Sequence, residues 1–135
     1  MASGKSGLYL AGGFRTGWQA GVFERLTNFE IFDPSGHSIA DPVEYTEWDL
    51  KAIRDCDVVL ANMEDSNPGG YALAMEIGFA KALGKKIVFV DQISDPHRKR
   101  YFEMVRQASD RVFSSLADAL DYLSSRPDWS VRSSE

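Results

Sequence analysis

Between residues 8 and 124, short apolar runs of strand length alternate with longer stretches at helical spacing. This alternation restricts the fold more than any other feature of the chain. Leu8-Tyr9-Leu10-Ala11 stops at Gly12-Gly13, as a first strand ending in a turn would. Trp18, Val22 and Leu26 then recur at the spacing of a helix. Residues 29–32 read as a second strand, 35–43 as a loop and 44–55 as a helix. The β-branched run at 57–61 is the third strand, and the Asp-, Asn-, Pro- and Gly-rich stretch at 64–70 is a second long loop. A helix follows over 71–83 and ends at Gly84, a suitable residue for the left-handed turn after a helix. Residues 86–90 form the fourth strand, 96–109 a helix, 111–113 a short fifth strand and 115–124 the last helix.

Strands that alternate with helices predict right-handed crossovers, and so a doubly wound α/β fold of about five parallel strands flanked by helices. The 135 residues suffice for one such domain and are too few for two, with 1–6 and 127–135 expected to be flexible. Ligands of these sheets bind beyond the carboxyl ends of the strands, where strand order reverses. That rule gathers the loops at 12–17, 33–43, 64–70 and 91–96 around one crevice.

Charge narrows the choice of partner. Twenty acidic against 15 basic residues leave a net charge of −5, the wrong sign for neutralising a phosphate backbone. The one basic cluster, His97-Arg98-Lys99-Arg100, reads as a solvated helix start. A small molecule is therefore expected, and polymeric nucleic acid is not. No apolar run reaches the ~18 residues of a membrane span, and the opening MASGKSG lacks the apolar block of a signal peptide. Cys56 is the only cysteine, which fits a reducing cytoplasm and excludes an internal disulfide. His37 and His97 lack partners at metal-ligand spacing, and Ala11-Gly12-Gly13-Phe14-Arg15-Thr16-Gly17 matches neither the dinucleotide fingerprint nor the P-loop pattern. Neither a metal nor an organic cofactor is expected.

Two carboxylates stand out. On the helix at 71–83 the only charged residues are Glu76 and Lys81. Helical spacing sets Glu76 on a stripe with Ala72, Met75, Phe79 and Leu83, and an ion there loses its hydration unless something pairs with it. A local bond to backbone or lysine and a functional role both fit this pattern. On the helix at 44–55, Asp49 lies among Tyr45, Trp48, Ala52 and Ile53, where an aspartate at the edge of the apolar face is the ordinary explanation. Two such carboxylates on helices flanking one strand point together to acid–base or nucleophilic chemistry at a sugar or base.

Three segments carry a resemblance to the nucleoside 2-deoxyribosyltransferase family. They are Leu8-Tyr9-Leu10-Ala11-Gly12-Gly13-Phe14, the run from Glu47-Trp48-Asp49 through Cys56-Asp57-Val58-Val59-Leu60-Ala61, and Asn67-Pro68-Gly69-Gly70-Tyr71-Ala72-Leu73-Ala74-Met75-Glu76-Ile77-Gly78-Phe79-Ala80. The resemblance implies that Glu76 attacks the anomeric carbon of a 2′-deoxynucleoside, that Tyr9 orients it, and that Asp49 protonates the leaving base. A second base then attacks the covalent deoxyribosyl intermediate. Gly12, Gly13, Phe14, Asp65, Asn67, Gly70 and Met75 are the implied substrate contacts. Many members carry an aspartate six residues before the nucleophile; Gly70 stands there, with Asp65 and Asn67 as the nearest polar candidates. The family also implies a homo-oligomer whose subunits share pockets, nucleosides and nucleobases as partners, and a place in nucleotide salvage. Related hydrolases hold a 5′-phosphate near the first glycine loop, where Arg15 and Thr16 stand here. Hydrolysis of a nucleoside or its 5′-monophosphate, or a binding module without turnover, are the alternatives.

Overall fold

The computed structural model describes residues 4–126 and 128–129. Its elements run β1 (Ser6–Gly12), α1 (Gln19–Arg25), β2 (Phe29–Phe32), a 3-10 turn (Pro34–Gly36), α2 (Pro42–Asp55), β3 (Val58–Met63), α3 (Tyr71–Ala82), β4 (Lys86–Asp91), α4 (Pro96–Arg100), α5 (Glu103–Ala108), β5 (Arg111–Phe113) and α6 (Leu116–Ser124). The strands form one parallel sheet in the order β2-β1-β3-β4-β5. Strand order reverses at β1, so the switch point lies between the carboxyl ends of β1 and β3.

Alternation along each strand builds two cores, one per face of the sheet. Tyr9, Ala11, Val59, Ala61, Ile87 and Phe89 face Ile53 of α2 and Leu73, Ile77 and Ala80 of α3. Leu8, Leu10, Val58, Leu60, Val88 and Val90 face Val22 of α1, Leu120 and Leu123 of α6, and Trp129. Both faces of β3 are therefore apolar from Val58 to Ala61, which is why that stretch reads as a continuous hydrophobic run and not as an alternating one. Gly12 ends β1 with φ +145, and a Cβ there would come within 2.6 Å of the Asn62 carbonyl oxygen on β3. Only glycine lets the two strands reach the switch point side by side.

Four expectations need correction. The second Asp-Pro pair starts a helix and does not continue the loop: Asp41 accepts the Glu44 N–H and Pro42 fills the first helical position. The helix expected over 96–109 is two short helices, because the chain turns at Tyr101 and Phe102 to bury the Phe102 ring. The basic cluster is not simply solvated, since Lys99 pairs with the buried Asp91 at 2.8 Å and Arg98 donates to the carbonyls of Asp65 and Asn67. Finally, Ser6 and Trp129, assigned to flexible ends, are both buried; the Trp129 N–H donates to Ser6 Oγ at 2.8 Å and the indole Nε1 to the Leu123 carbonyl. Residues 1–3, 127 and 130–135 lie outside the described residues. Among the described residues no helix is long and apolar enough to cross a membrane.

Candidate active site

β1 delivers Tyr9 to the α2/α3 face of the sheet, and α3 lays Glu76 above it. The Tyr9 hydroxyl donates to Glu76 Oε2 at 2.6 Å. Glu76 is 9% exposed, and it shares the buried stripe of Leu73, Ile77 and Ala80, not the Met75 side as helical spacing suggested. Met75 is 55% exposed and turns away. The reason is the start of α3, where Gly70 is left-handed and sets the helix close against Met63 and Phe102.

Among the described residues, no cation pairs with Glu76. Burial pushes its carboxyl up to about 7; the Tyr9 hydrogen bond pulls it down and the charge of Asp49 pushes it further up. Burial raises the Tyr9 phenol far above its ordinary value, with the Glu76 carboxylate adding to the effect. Tyr9 is therefore a fixed donor, and Glu76 is a carboxylate whose hydrogen-bond capacity is only partly used.

Asp49 projects from the middle of α2 into the same space. Together with Tyr9, Leu10, Gly12, Phe14, Pro34, His37, Ile39, Tyr45, Ala72, Leu73 and Glu76 it lines a cavity of about 340 Å³ at the switch point. His37 Nε2 lies 3.2 Å from Asp49 Oδ1. Burial raises the Asp49 carboxyl and the hydrogen bond from His37 opposes that rise. Two carboxyl groups thus face one cavity, each held toward its protonated form by burial, with aromatic and aliphatic walls around them. Such a pair can divide the work of nucleophile and proton donor.

The structure gathers Tyr9, Gly12, Phe14, Asp49 and Glu76 at this cavity and sets the other sequence-derived residues apart from its lining. Gly13 and Asn67 meet in a neighbouring groove with Phe14, Arg15, Glu64, Ser66 and Pro68, and Phe14 belongs to both. The Gly13 carbonyl accepts from Trp18 Nε1 and Gln19 Nε2, which pins the glycine turn. Asp65 is turned to the backbone N–H and hydroxyl of Ser94, and these bonds hold its carboxyl below the usual range. Gly70 has φ +90, and a Cβ there would sit 2.8 Å from Met63 Sδ and 2.9 Å from Phe102 Cζ. A side chain at this position is excluded by packing as well as by backbone conformation. Cys56 is buried with its thiol pushed up to about 12, the state of an inert core cysteine.

Sequence reasoning missed His37. A search at metal-ligand spacing could not find it, since its partner lies twelve positions along the chain on α2. The available signal was its place in a loop longer than the connection from β2 to α2 requires. Among the described residues no group of three or more His, Cys, Asp or Glu side chains gathers as a metal site would.

A parallel sheet of this order, with a cavity lined by two carboxylates at its switch point, defines a doubly wound α/β domain. The nucleoside 2-deoxyribosyltransferase family model matches residues 8–122, and the chain belongs to that family. Solved structures agree in fold. A 2-desoxiribosyltransferase from Leishmania mexicana superposes with a TM-score of 0.72 at 20% identity, over 88% of this chain and 97% of that one. BlsM, known from a solution structure, gives 0.65 at 22% identity over 91% and 90%. The CMP N-glycosidase BcmB of Clostridium botulinum gives 0.55 at 21% identity over 87% and 98%. No curated protein sequence matches the chain.

Proposed function

We propose that this protein is a nucleoside 2-deoxyribosyltransferase that exchanges the base of a 2′-deoxynucleoside through a covalent deoxyribosyl–Glu76 intermediate. The observation that carries the reading is the buried Glu76, held by a 2.6 Å bond from Tyr9 at a cavity that Asp49 also lines. In the first step, from the state in which the proton shared by the pair sits on Asp49, the Glu76 carboxylate attacks C1′ while the bond from C1′ to the base nitrogen breaks, and Asp49 gives that proton to the departing base. In the second step a nitrogen of an incoming base attacks C1′, Asp49 takes the proton back, and Glu76 leaves as a carboxylate. This is the two-displacement logic of retaining glycosidases, with a nucleobase in the place of water. Electrons and protons balance between two carboxyl groups, so neither a metal nor an organic cofactor has a part in the scheme.

The proposal includes a homo-oligomer acting on free nucleosides and nucleobases in cytoplasmic salvage. Tyr71, Met75, Tyr101 and Met104 are exposed around α3 to α5, which supports an assembly through that side.

A second reading, hydrolysis of a nucleoside 5′-monophosphate by the same Glu76, has one observation in its favour. Gly70 supplies no carboxylate and cannot accept one, while Arg15 lines the groove that adjoins the cavity. Glu64 lines that groove too, bonded to Thr16, and its charge works against a phosphate there. Transfer is therefore kept as the leading reading. Incubation with deoxyinosine and free adenine, followed by chromatography, separates the two. Deoxyadenosine is the expected product. Hypoxanthine without a new nucleoside, or cleavage confined to 5′-monophosphates, would move the assignment to hydrolysis. No change with any nucleoside, base or monophosphate would leave a binding module.

A further inference from the structure

We infer that His37 is a positioning residue for the leaving-group step, occupying Asp49 Oδ1 so that Oδ2 alone serves the departing base. The inference rests on the reading of Asp49 as proton donor. It starts from the loop after β2, which contributes Pro34, His37 and Ile39 to the cavity wall. His37 and Asp49 are largely enclosed, with side-chain exposures of 13% and 20%. His37 Nδ1 accepts the backbone N–H of Ile39 at 3.0 Å, so the ring proton resides on Nε2, the nitrogen 3.2 Å from Asp49 Oδ1. Ser38, between the two, takes the left-handed conformation (φ +57) that swings the Ile39 N–H back onto the ring. Trp48 meets the imidazole edge-on at a centroid distance of 4.7 Å and fixes its plane.

The consequence is a matter of donor and acceptor roles. With Oδ1 filled by a donor that has no second proton to give, Oδ2 is the atom that can carry the proton to the base and take it back. A carboxyl group free to rotate would present either oxygen in either state. One held at Oδ1 presents one geometry to every leaving group that needs a proton. The titratable groups facing this pair are Tyr9 from β1, Tyr45 from α2 and Glu76 from α3, all lining the same cavity. None of these three bonds to the Asp49 side chain; among the described residues His37 alone does.

The test compares leaving groups. Wild type, His37→Phe and His37→Gln are assayed on the best natural 2′-deoxynucleoside or deoxynucleotide of a four-base panel. They are also assayed on 4-nitrophenyl 2-deoxyribofuranoside, whose phenolate departs without a proton. Phenylalanine keeps the ring against Trp48 and removes both nitrogens; glutamine restores an N–H donor. His37→Phe is expected to lose about 30-fold in kcat on the natural substrate, with KM little changed, and less than about threefold on the nitrophenyl glycoside. His37→Gln is expected to recover most of the loss. Equal losses on both substrates, or no recovery with glutamine, would overturn the role in favour of a simple loop staple. In parallel, side-chain nitrogen NMR at pH 8 reports the tautomer, with His97→Gln assigning the two rings. The Nε2–H form is expected for His37, and the Nδ1–H form in an active enzyme would overturn the positioning role alone. Inactivity of the wild type across the panel would overturn the glycosidic reading itself, and this role with it.

Discussion

Two carboxylates are buried near the carboxyl ends of this sheet, and the molecule treats them in opposite ways. Asp91, at the end of β4, is met by Lys99 Nζ at 2.8 Å and Arg106 Nη1 at 2.9 Å, and it accepts the Ile93 N–H at 3.2 Å. Glu76, on α3, is also buried, and among the described residues its side chain bonds only to the neutral Tyr9 hydroxyl. The first carboxylate is compensated and ties α4 and α5 to the sheet. The second is left uncompensated, at a cost that packing elsewhere must cover. The contrast between the clamped Asp91 and the uncompensated Glu76 is what supports the proposed role of the glutamate.

That contrast can be broken in several ways, and the largest expected effect is on turnover. Glu76→Ala should lower kcat about 10⁴-fold or more while the circular dichroism spectrum stays native. Asp49→Asn should lower kcat about 10² to 10³-fold with a small change in KM, since it removes a proton and not a sugar contact.

Stability should then move in opposite directions at the two carboxylates. The folded-state pKa of Glu76 is raised from 4.5 to about 7, so the protonated native state carries no penalty below 4.5. Native stability is lost as pH rises from there through about 7, and the penalty is complete above it. Glu76→Gln should therefore melt with wild type near pH 4 and be more stable at pH 8, by on the order of 3 kcal/mol. Asp91→Asn should be less stable than wild type at pH 8, by about 2 kcal/mol, a value discounted because Lys99 is 42% exposed. Equal signs for the two substitutions would erase the contrast.

The smallest effect belongs to Tyr9→Phe. Removing the hydrogen bond that lowers the Glu76 pKa should shift the acid limb of kcat to higher pH and reduce turnover at pH 7 about tenfold. An unchanged pH profile would detach Tyr9 from the nucleophile.

The fold was legible because each strand–helix pair carries its own signal. The apolar run at Val58–Ala61 and the glycine stop after α3 state their roles locally. Burial of Glu76 was legible too, although its face was not: spacing fixes which residues share a stripe, while the seating of Gly70 against Met63 and Phe102 decides which stripe meets the sheet. The split between α4 and α5 and the burial of Trp129 depend on contacts far along the chain, which no local pattern encodes. His37 was illegible for the same reason, because its meaning lies in one bond to α2 and one to a backbone two residues on.

The central claim is that Glu76 forms a covalent bond to the sugar, and trapping tests it most directly. A 2′-deoxy-2′-fluoroarabinonucleoside slows both displacements, because fluorine destabilises positive charge developing at C1′, and a good leaving base lets the adduct accumulate. Intact-mass spectrometry after incubation should show one fluorodeoxyribosyl group per chain, and peptide mapping should place it on Glu76. An adduct on any other residue, or unlabelled protein that nonetheless turns over 2′-deoxynucleosides, would contradict the account.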